Sequence, residues 1–509
     1  MSVRIVYQDI AAGAEDNARV TAPGAADFAQ PDLLPFGGSG AAIASLEPYS
    51  WLLDESREIL DGQPIAYWSE AVSGPDGRFE EPPELIIDFD GRYTSPGLFL
   101  TFDTATGDYC TALAVEWYRG GNRIAQGRFF PTGTEAFCAK TVEAYDRLVL
   151  RFQATNRPYR HVKLRGIMFG VVREFQREEL RNVNVVQEVS IISDQVAVNT
   201  LHFTLDSQSD VDYMFQLKQP MYAYDGAILI GVFYIEDSRQ RGKGLYDVSC
   251  KDAVGVLDDD PFPAGMYQAH PAKQLLEEIL GGSFSLELDA ALTGAAVTGY
   301  LPPGSRRAAL QQVAFALCAM VDTSGTEAVR VYRDREDMPR VYPAGRIYTG
   351  GSVEKSAIVT AVQVTAHSYT ASEGVGETVE VDGTVYTHSR ETSAIANPNV
   401  TASDKANVIE VKEATLVHPG NVFGVVQHLY SYYAKRDRQS VRIVMDGERP
   451  GDHVAIATPW GTVVDGYIVS MRITLSGIAA ADCEIVGTDV RSTGVTEEIV
   501  SGELESGEV

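Results

Sequence analysis

The sequence is short of positive charge, cysteine, histidine and long apolar runs, and each shortage excludes something. Its 42 Lys and Arg face 70 Asp and Glu, a formal net charge of −28. A general affinity for nucleic acid or anionic lipid is thereby excluded, because phosphates would meet too few cations to displace their counterions. The five cysteines (Cys110, Cys138, Cys250, Cys318 and Cys483) are scattered and odd in number, with no C-x-x-C pair. Neither a zinc site nor a disulfide scaffold is expected from them, and buried reduced thiols are, as suits assembly in a cytosol. The longest near-continuous apolar stretch, Ala227 to Ile235, falls far short of the roughly 18 residues of a membrane helix. Met1 to Ile10 lacks the basic start and apolar centre of a signal peptide, so Sec export is not expected. The chain still has an ordinary globular composition, 45% hydrophobic and 22% charged over 509 residues, which excludes whole-chain disorder and rods and implies roughly three to four domains.

The usual strings of catalysis are missing too. No phosphate-binding loop, H-E-x-x-H, G-x-S-x-G or complete calcium loop occurs. Asp206, Asp210 and Asp212 alternate as oxygen ligands would, without the glycine and distal glutamate of a calcium loop. Asp258, Asp259 and Asp260 lie adjacent before Pro261, and neighbours in a turn cannot hold an acid and a base across a sugar. The eight histidines are dispersed; His418 and His428 lack the four-residue spacing that puts ligands on one helix face. No catalytic residue, no metal ligand and no cofactor is expected.

What is present is a succession of strand patterns. Residues 1–44, rich in Ala, Gly and Pro, read as an arm. From 45 to 172, runs such as Leu85–Phe89, Leu98–Phe102, Leu113–Tyr118 and Leu148–Phe152 alternate with turn residues, including Asp61-Gly62, Asp76-Gly77 and Asp90-Gly91, and predict a β-sandwich. A second β region spans 173–260, with a hairpin at Asp225-Gly226. Within 261–335 the period changes to 3.6. Ala272, Leu275, Leu276, Ile279 and Leu280 share one face, as do Ala309, Leu310, Val313, Ala314 and Leu317, predicting helices over Ala272–Leu280 and Ser305–Ala319. Residues 336–420 return to strands with a turn at Asp382-Gly383. Over 421–490 a helix at Asn421–Arg438 precedes closing strands with turns at Asp446-Gly447 and Asp465-Gly466. The stretch 491–509 is an acidic tail. The fold class expected is mainly β with α+β inserts.

Aromatic and polar residues gather in the loops of the first sandwich: Trp51, Tyr67-Trp68-Ser69-Glu70, Trp117-Tyr118-Arg119 and Thr155 to Arg160. A ring to stack on a sugar face and a guanidinium to hydrogen-bond its hydroxyls are what a glycan site needs. Tyr67, Trp68, Arg157 and Arg160 are the candidate glycan contacts. Core packing is the other reading of these aromatics.

Two resemblances follow. The run from Trp68-Ser69 through Phe89 to Arg157-Pro158-Tyr159-Arg160-His161-Val162-Lys163-Leu164 resembles a discoidin or galactose-binding β-sandwich, whose end loops bind glycans or lipids. A proline is inserted near that motif and no cysteine pair brackets the module. Over about Val183 to Gly487 a second resemblance appears. Asn199–Leu205, Gly231–Ile235, Tyr246–Ala253 and Gly255-Val256-Leu257 are similar to the first barrel of phage tail hub proteins, with a D-A-x-G-x-L element leading into the helical insert. Leu301–Ala314 resembles the helix before their second half, and Pro450–Val454, Gly466–Ser470 and Leu475-Ser476-Gly477 their closing barrel.

These resemblances imply a galactose-binding-like sandwich at 45–172, a first hub barrel at 173–260, a helical α+β insert at 261–335, a β-rich insert at 336–420, and a helix with a second hub barrel at 421–490. They imply a structural hub of a phage or phage-like tail baseplate or tail tip. Such a hub is a homotrimer joining tail tube to spike, with tube, spike and tape-measure proteins as partners, host-surface glycan as a further contact, and DNA passing transiently without specific binding. The expected place is the virion tail, assembled in the host bacterial cytoplasm. The alternative is a secreted glycan-binding enzyme or adhesin with a carbohydrate-binding module.

Overall fold

In a computed structural model the described residues are 3–11, 13–36, 65–207, 215–334, 338–371, 376–401, 403–475 and 479–490. Trp51, Asp61-Gly62, Asp210, Asp212, Ser476-Gly477 and the acidic tail lie outside them. The chain divides into a sandwich unit, residues 7–173 and 213–219, and a barrel unit, residues 1–6, 174–212 and 220–509.

The fold is mainly β with α+β inserts. In the sandwich unit seven strands form one sheet, running Tyr67–Val72, His161–Met168, Glu84–Phe102, Glu135–Thr155, Cys110–Arg119 and Asn122–Phe129, with Ala18–Thr21 added on Glu84–Phe102. The two longest strands pair twice. Glu84–Asp88 lies against Arg147–Arg151 and Gly97–Thr101 against Glu135–Ala139, with register shifts between the two stretches. Bulges bend both strands there and fold the sheet over a core that includes Leu85, Ile87, Leu100, Trp117, Leu150 and Phe152. Asp90-Gly91, expected as a turn between two strands, lies inside the single bent strand Glu84–Phe102. The bend takes Gly97 instead, where a Cβ would sit 2.4 Å from the Cys138 carbonyl oxygen.

The expected N-terminal arm also differs. Val3–Ile10 and Ala18–Thr21 are strands, and Leu34 is buried in the sandwich core. Average composition over forty residues conceals the alternation Val3, Ile5, Tyr7, which buries every second side chain.

In the barrel unit a long sheet runs through Ser352–Lys355, Asp437–Val444, Ala480–Val490, Val463–Thr474, Leu180–Glu188, Thr200–Asp206, Leu245–Lys251, Ile228–Gly242 and Pro220–Asp225. The strands expected in the first and closing barrels thus share one sheet, through the antiparallel ladder Asn184 to Glu188 against Thr474 to Ser470. Gly226, at φ +60°, turns the hairpin between Pro220–Asp225 and Ile228–Gly242. Asp465-Gly466, in contrast, lies within the strand Val463–Thr474; the preceding turn is at Thr458–Thr462, with Gly461 at φ +89°.

Among the described residues the α-helices are Ala253–Leu257, Ala272–Leu280, Arg306–Ala316 and Val422–Ala434. Leu275, Leu276 and Ile279 pack with Leu310, Val313 and Ala314 in one core. Ser305 caps its helix by accepting from the Ala308 N–H at 3.2 Å. Val422, Val425, Val426 and Leu429 face a four-stranded sheet, Thr378–Val381, Thr384–Ala396, Ala361–Ala371 and Val408–Val411, through its buried Val362 and Val364.

Candidate functional site: the charged end of the sandwich

Tyr67 and Trp68 begin a strand paired with His161–Met168, Trp68 standing opposite Lys163. Neighbours on a strand point to opposite faces, and here both faces are covered. Tyr67 is 0% exposed and its ring lies 5.9 Å from that of Phe152 in the core. Burial pushes its phenol up from the ordinary value. Trp68 is 4% exposed, edge-on to Phe28 at 5.6 Å and under the Lys163 ammonium at 4.8 Å. Neither ring offers a face to a sugar from solvent. The covering of the second face explains why, since alternation alone would leave one of the two exposed.

Arg157 and Arg160 are brought together on Asp108. Arg160, 1% exposed, places Nε 3.4 Å from Asp108 Oδ1, and Arg157 Nη1 is 3.6 Å from the same oxygen. Lys163 Nζ donates to Asp108 Oδ2 at 3.0 Å. Thr106 lies between the buried Asp103 and Asp108 carboxylates and bonds both, while Arg165 is 3.8 Å from Asp103. Arg157 also donates to the Thr106 carbonyl at 3.2 Å. One acidic turn, Asp103 to Asp108, is therefore pinned by cations from the closing strand and the loop before it. Of the four candidate contacts only Arg157 keeps a substantially exposed side chain, at 46%. Tyr159 beside it is 48% exposed, at φ +56°. This corner can offer one guanidinium and one ring outward.

Sequence reasoning missed Asp103, Thr106, Asp108, Lys163 and Arg165. The signal for Lys163 and Arg165 was a strand with cations at alternate positions, interleaved with the core residues Val162, Leu164 and Ile167.

The barrel unit carries a polar cleft of about 560 Å³ lined by residues that include Arg330, Tyr332, Arg340, Asp452, His453 and Tyr467. His453 Nε2 is 2.6 Å from Asp465 Oδ1, and its ring stacks on Tyr467 at 4.7 Å. Burial raises the Asp452 carboxyl, opposed by the Arg449 N–H that it accepts. Among the described residues the lining holds proton-carrying groups and no serine, threonine or cysteine. Among the described residues no group of three or more His, Cys, Asp or Glu is placed to hold a metal ion.

No family model and no curated protein matches the chain. Among solved structures it is similar to the 43 kDa tail protein of prophage MuSo2 from Shewanella oneidensis, at 7% identity and TM-score 0.43 over 62% of this chain and 96% of that one. It is also similar to a tail protein of Neisseria meningitidis MC58, at 12% identity and TM-score 0.44 over 62% and 93%. A chain of a native gene transfer agent virion matches 94% of this chain and 87% of its own at 11% identity and TM-score 0.29. These three solved structures are of tail and virion proteins.

Proposed function

We propose that this protein is a structural hub of a phage or phage-like tail baseplate or tail tip, joining tail tube to spike as a homotrimer in the virion tail. The observation that carries the reading is the ladder of Asn184–Glu188 with Ser470–Thr474. It ties the two segments that resemble a hub's first and closing barrels into one frame, with the helical and β-rich inserts arising between them in the order the resemblance requires. A frame of this kind acts by symmetry and rigidity, and the hub does no chemistry of its own. The net charge of −28 suits a lumen through which DNA passes without sticking. Open sheet edges, which template promiscuous pairing, are covered when subunits close a ring.

The test is a copy number. Mass measurement on particles, or on the hub assembled with tube and spike proteins, is expected to give three chains per ring; one, two or four would overturn the proposal. Host-glycan contact is a second, narrower reading, favoured by Arg157 and Tyr159 standing exposed at one corner of the sandwich. Loss of cell-surface binding on Arg157→Ala in a folded protein supports it, and unchanged binding removes it.

A further inference from the structure

In the four-stranded insert sheet, strands Ala361–Ala371 and Thr384–Ala396 pair with Tyr369 opposite His388 and His367 opposite Arg390. His367 and His388 are therefore diagonal neighbours on one face. Their rings are nearly parallel, 5.1 Å apart, with His367 Nδ1 2.8 Å from His388 Nε2. His367 is 2% exposed. Its Nε2 is 2.9 Å from the Lys412 carbonyl oxygen. A carbonyl only accepts, so Nε2 carries the proton and Nδ1 presents a lone pair. His388 Nε2 must then be the donor between the two rings. His367 is thereby held as its Nε2–H tautomer, with His388 Nε2 as the donor to it.

The surrounding groups decide what a further proton does. His388 Nδ1 is 3.7 Å from Glu377, which is itself held by Arg390 at 2.7 Å. The Tyr369 ring stacks on His388 at 4.7 Å, and Tyr300, from the strand Ala296–Leu301, lies 5.9 Å from Tyr369. Glu413 acts on His367 from the segment that follows Val408–Val411, and Arg390 acts on both rings. A proton on His388 Nδ1 points at Glu377 and leaves the ring-to-ring bond intact. A proton on His367 Nδ1 sets N–H against N–H, removes that bond and puts two cations in contact. The carboxylate lies on the far nitrogen of His388, so the arrangement is a chain of hydrogen bonds and not a metal cage.

We propose that the His367–His388 pair is an acid-sensitive latch that holds the hairpin Thr378–Ala396 on strand Ala361–Ala371 and lets it loosen when the pair takes up its second proton. Burial lowers both imidazoles below their ordinary value, with His388 adding to the effect on His367 and Arg390 to that on His388. A depressed imidazole contributes stability that is complete above its unfolded value of about 6.5 and is lost as pH falls below it.

Hydrogen exchange on the full chain at pH 7.5 and pH 5, corrected for intrinsic rates, tests the latch. Peptides covering 361–371 and 384–396 are expected to lose about tenfold more protection on acidification than the control strand Ile228–Gly242, tenfold corresponding to one unit of depression. His367→Gln, whose amide can accept from His388 and donate to the Lys412 carbonyl but takes no proton, is expected to abolish that difference. An equal response in hairpin and control, or an unchanged acid response in His367→Gln, would overturn the latch. If that variant is already open at pH 7.5, imidazole NMR on the unsubstituted chain decides. Two rings titrating independently near 6.5 sink the proposal, and depressed, coupled titrations uphold it.

Discussion

Asp252 and Thr323, 71 positions apart, are joined by a buried hydrogen bond in which the threonine hydroxyl donates to the carboxylate at 2.7 Å. Asn199 completes the arrangement: its amide donates to Thr323 Oγ1 at 3.0 Å, and its own backbone carbonyl accepts the Asp252 N–H at 2.9 Å. The other Asp252 oxygen caps helix Ala253–Leu257 through the Gly255 N–H at 2.9 Å. The D-A-x-G-x-L element is thus a fastening between the first-barrel strands and the end of the helical insert.

Asp252→Ala is expected to cost roughly 1–3 kcal/mol, the desolvation penalty of donors left unsatisfied. Asp252→Asn, which keeps an acceptor for Gly255, costs less. Burial pushes the Asp252 carboxyl up to about 6, against the pull of Thr323, Gly255 and Asn199. A raised carboxyl contributes stability that is complete below its unfolded value and lost as pH rises through about 6. Denaturant unfolding between about pH 4 and 7 should show this slope in the native chain and not in Asp252→Asn.

Glu448 carries the opposite sign. Its side chain is fully buried, 2.5 Å from Arg346 and 3.2 Å from Arg340, and accepts the Asp446 N–H at 2.6 Å. Burial pushes its carboxyl up, but the Asp446 N–H and the Arg346 guanidinium outweigh that and hold it below the ordinary value. Its stabilising contribution is present above its unfolded value of 4.5 and fades as pH falls through the depressed one. Glu448→Ala should destabilise by roughly 1–3 kcal/mol by removing the acceptor of the Asp446 N–H and of Arg346, since the partly exposed Arg340 and Arg346 keep Asp446 as a partner. A double-mutant cycle with Arg346→Ala that shows no coupling would refute the pairing.

At the sandwich end, Trp68→Ala and Arg157→Ala should separate stability from surface chemistry. Removing the buried indole costs about 3–5 kcal/mol, read as a lower unfolding midpoint. Arg157→Ala, with its side chain half in solvent and 3.6 Å from Asp108, should cost less than about 1 kcal/mol. Equal losses would mean that Trp68 is not part of the core.

Long periodic segments were legible in the sequence because their pattern is local. Helix Ala272–Leu280 lies where apolar spacing put it, as does the hairpin turn at Asp382-Gly383; Val422–Ala434 lies within the expected Asn421–Arg438, whose last two residues instead begin the strand Asp437–Val444. Asp465-Gly466 was misread as a turn because its glycine serves close backbone approach instead of positive φ. The charged cluster was illegible for a different reason. Asp108 and Lys163 are 55 positions apart, and no local pattern says which buried cation meets which carboxylate. Tyr67 and Trp68 were read as loop residues because no local pattern shows that they begin a strand whose two faces are both covered.

Gly466 gives a test in which the sign of the effect is decisive. It lies inside the strand Val463–Thr474, opposite Gly487. Glycine within a strand ordinarily costs conformational entropy, so alanine in open space should stabilise by roughly 0.5–1 kcal/mol. Here an added Cβ would lie 2.3 Å from the Val486 carbonyl oxygen and 2.5 Å from the Gly487 Cα, both backbone atoms that no side-chain rotation can move aside. Gly466 does not have a positive φ, so backbone strain adds nothing and the whole effect is steric. Gly466→Ala is therefore expected to destabilise by about 1–3 kcal/mol, the usual cost of overpacking, as the strand is forced away from Ala480–Val490. Gly487→Ala, whose Cβ would meet the Asp465 carbonyl oxygen at 2.2 Å, should do the same. The two substitutions together should cost less than the sum of their separate costs, because one displacement of the ladder relieves both clashes. Chemical denaturation of the three variants reads this directly. A gain in stability for either single variant would show that the two backbones do not approach as closely as their paired glycines require.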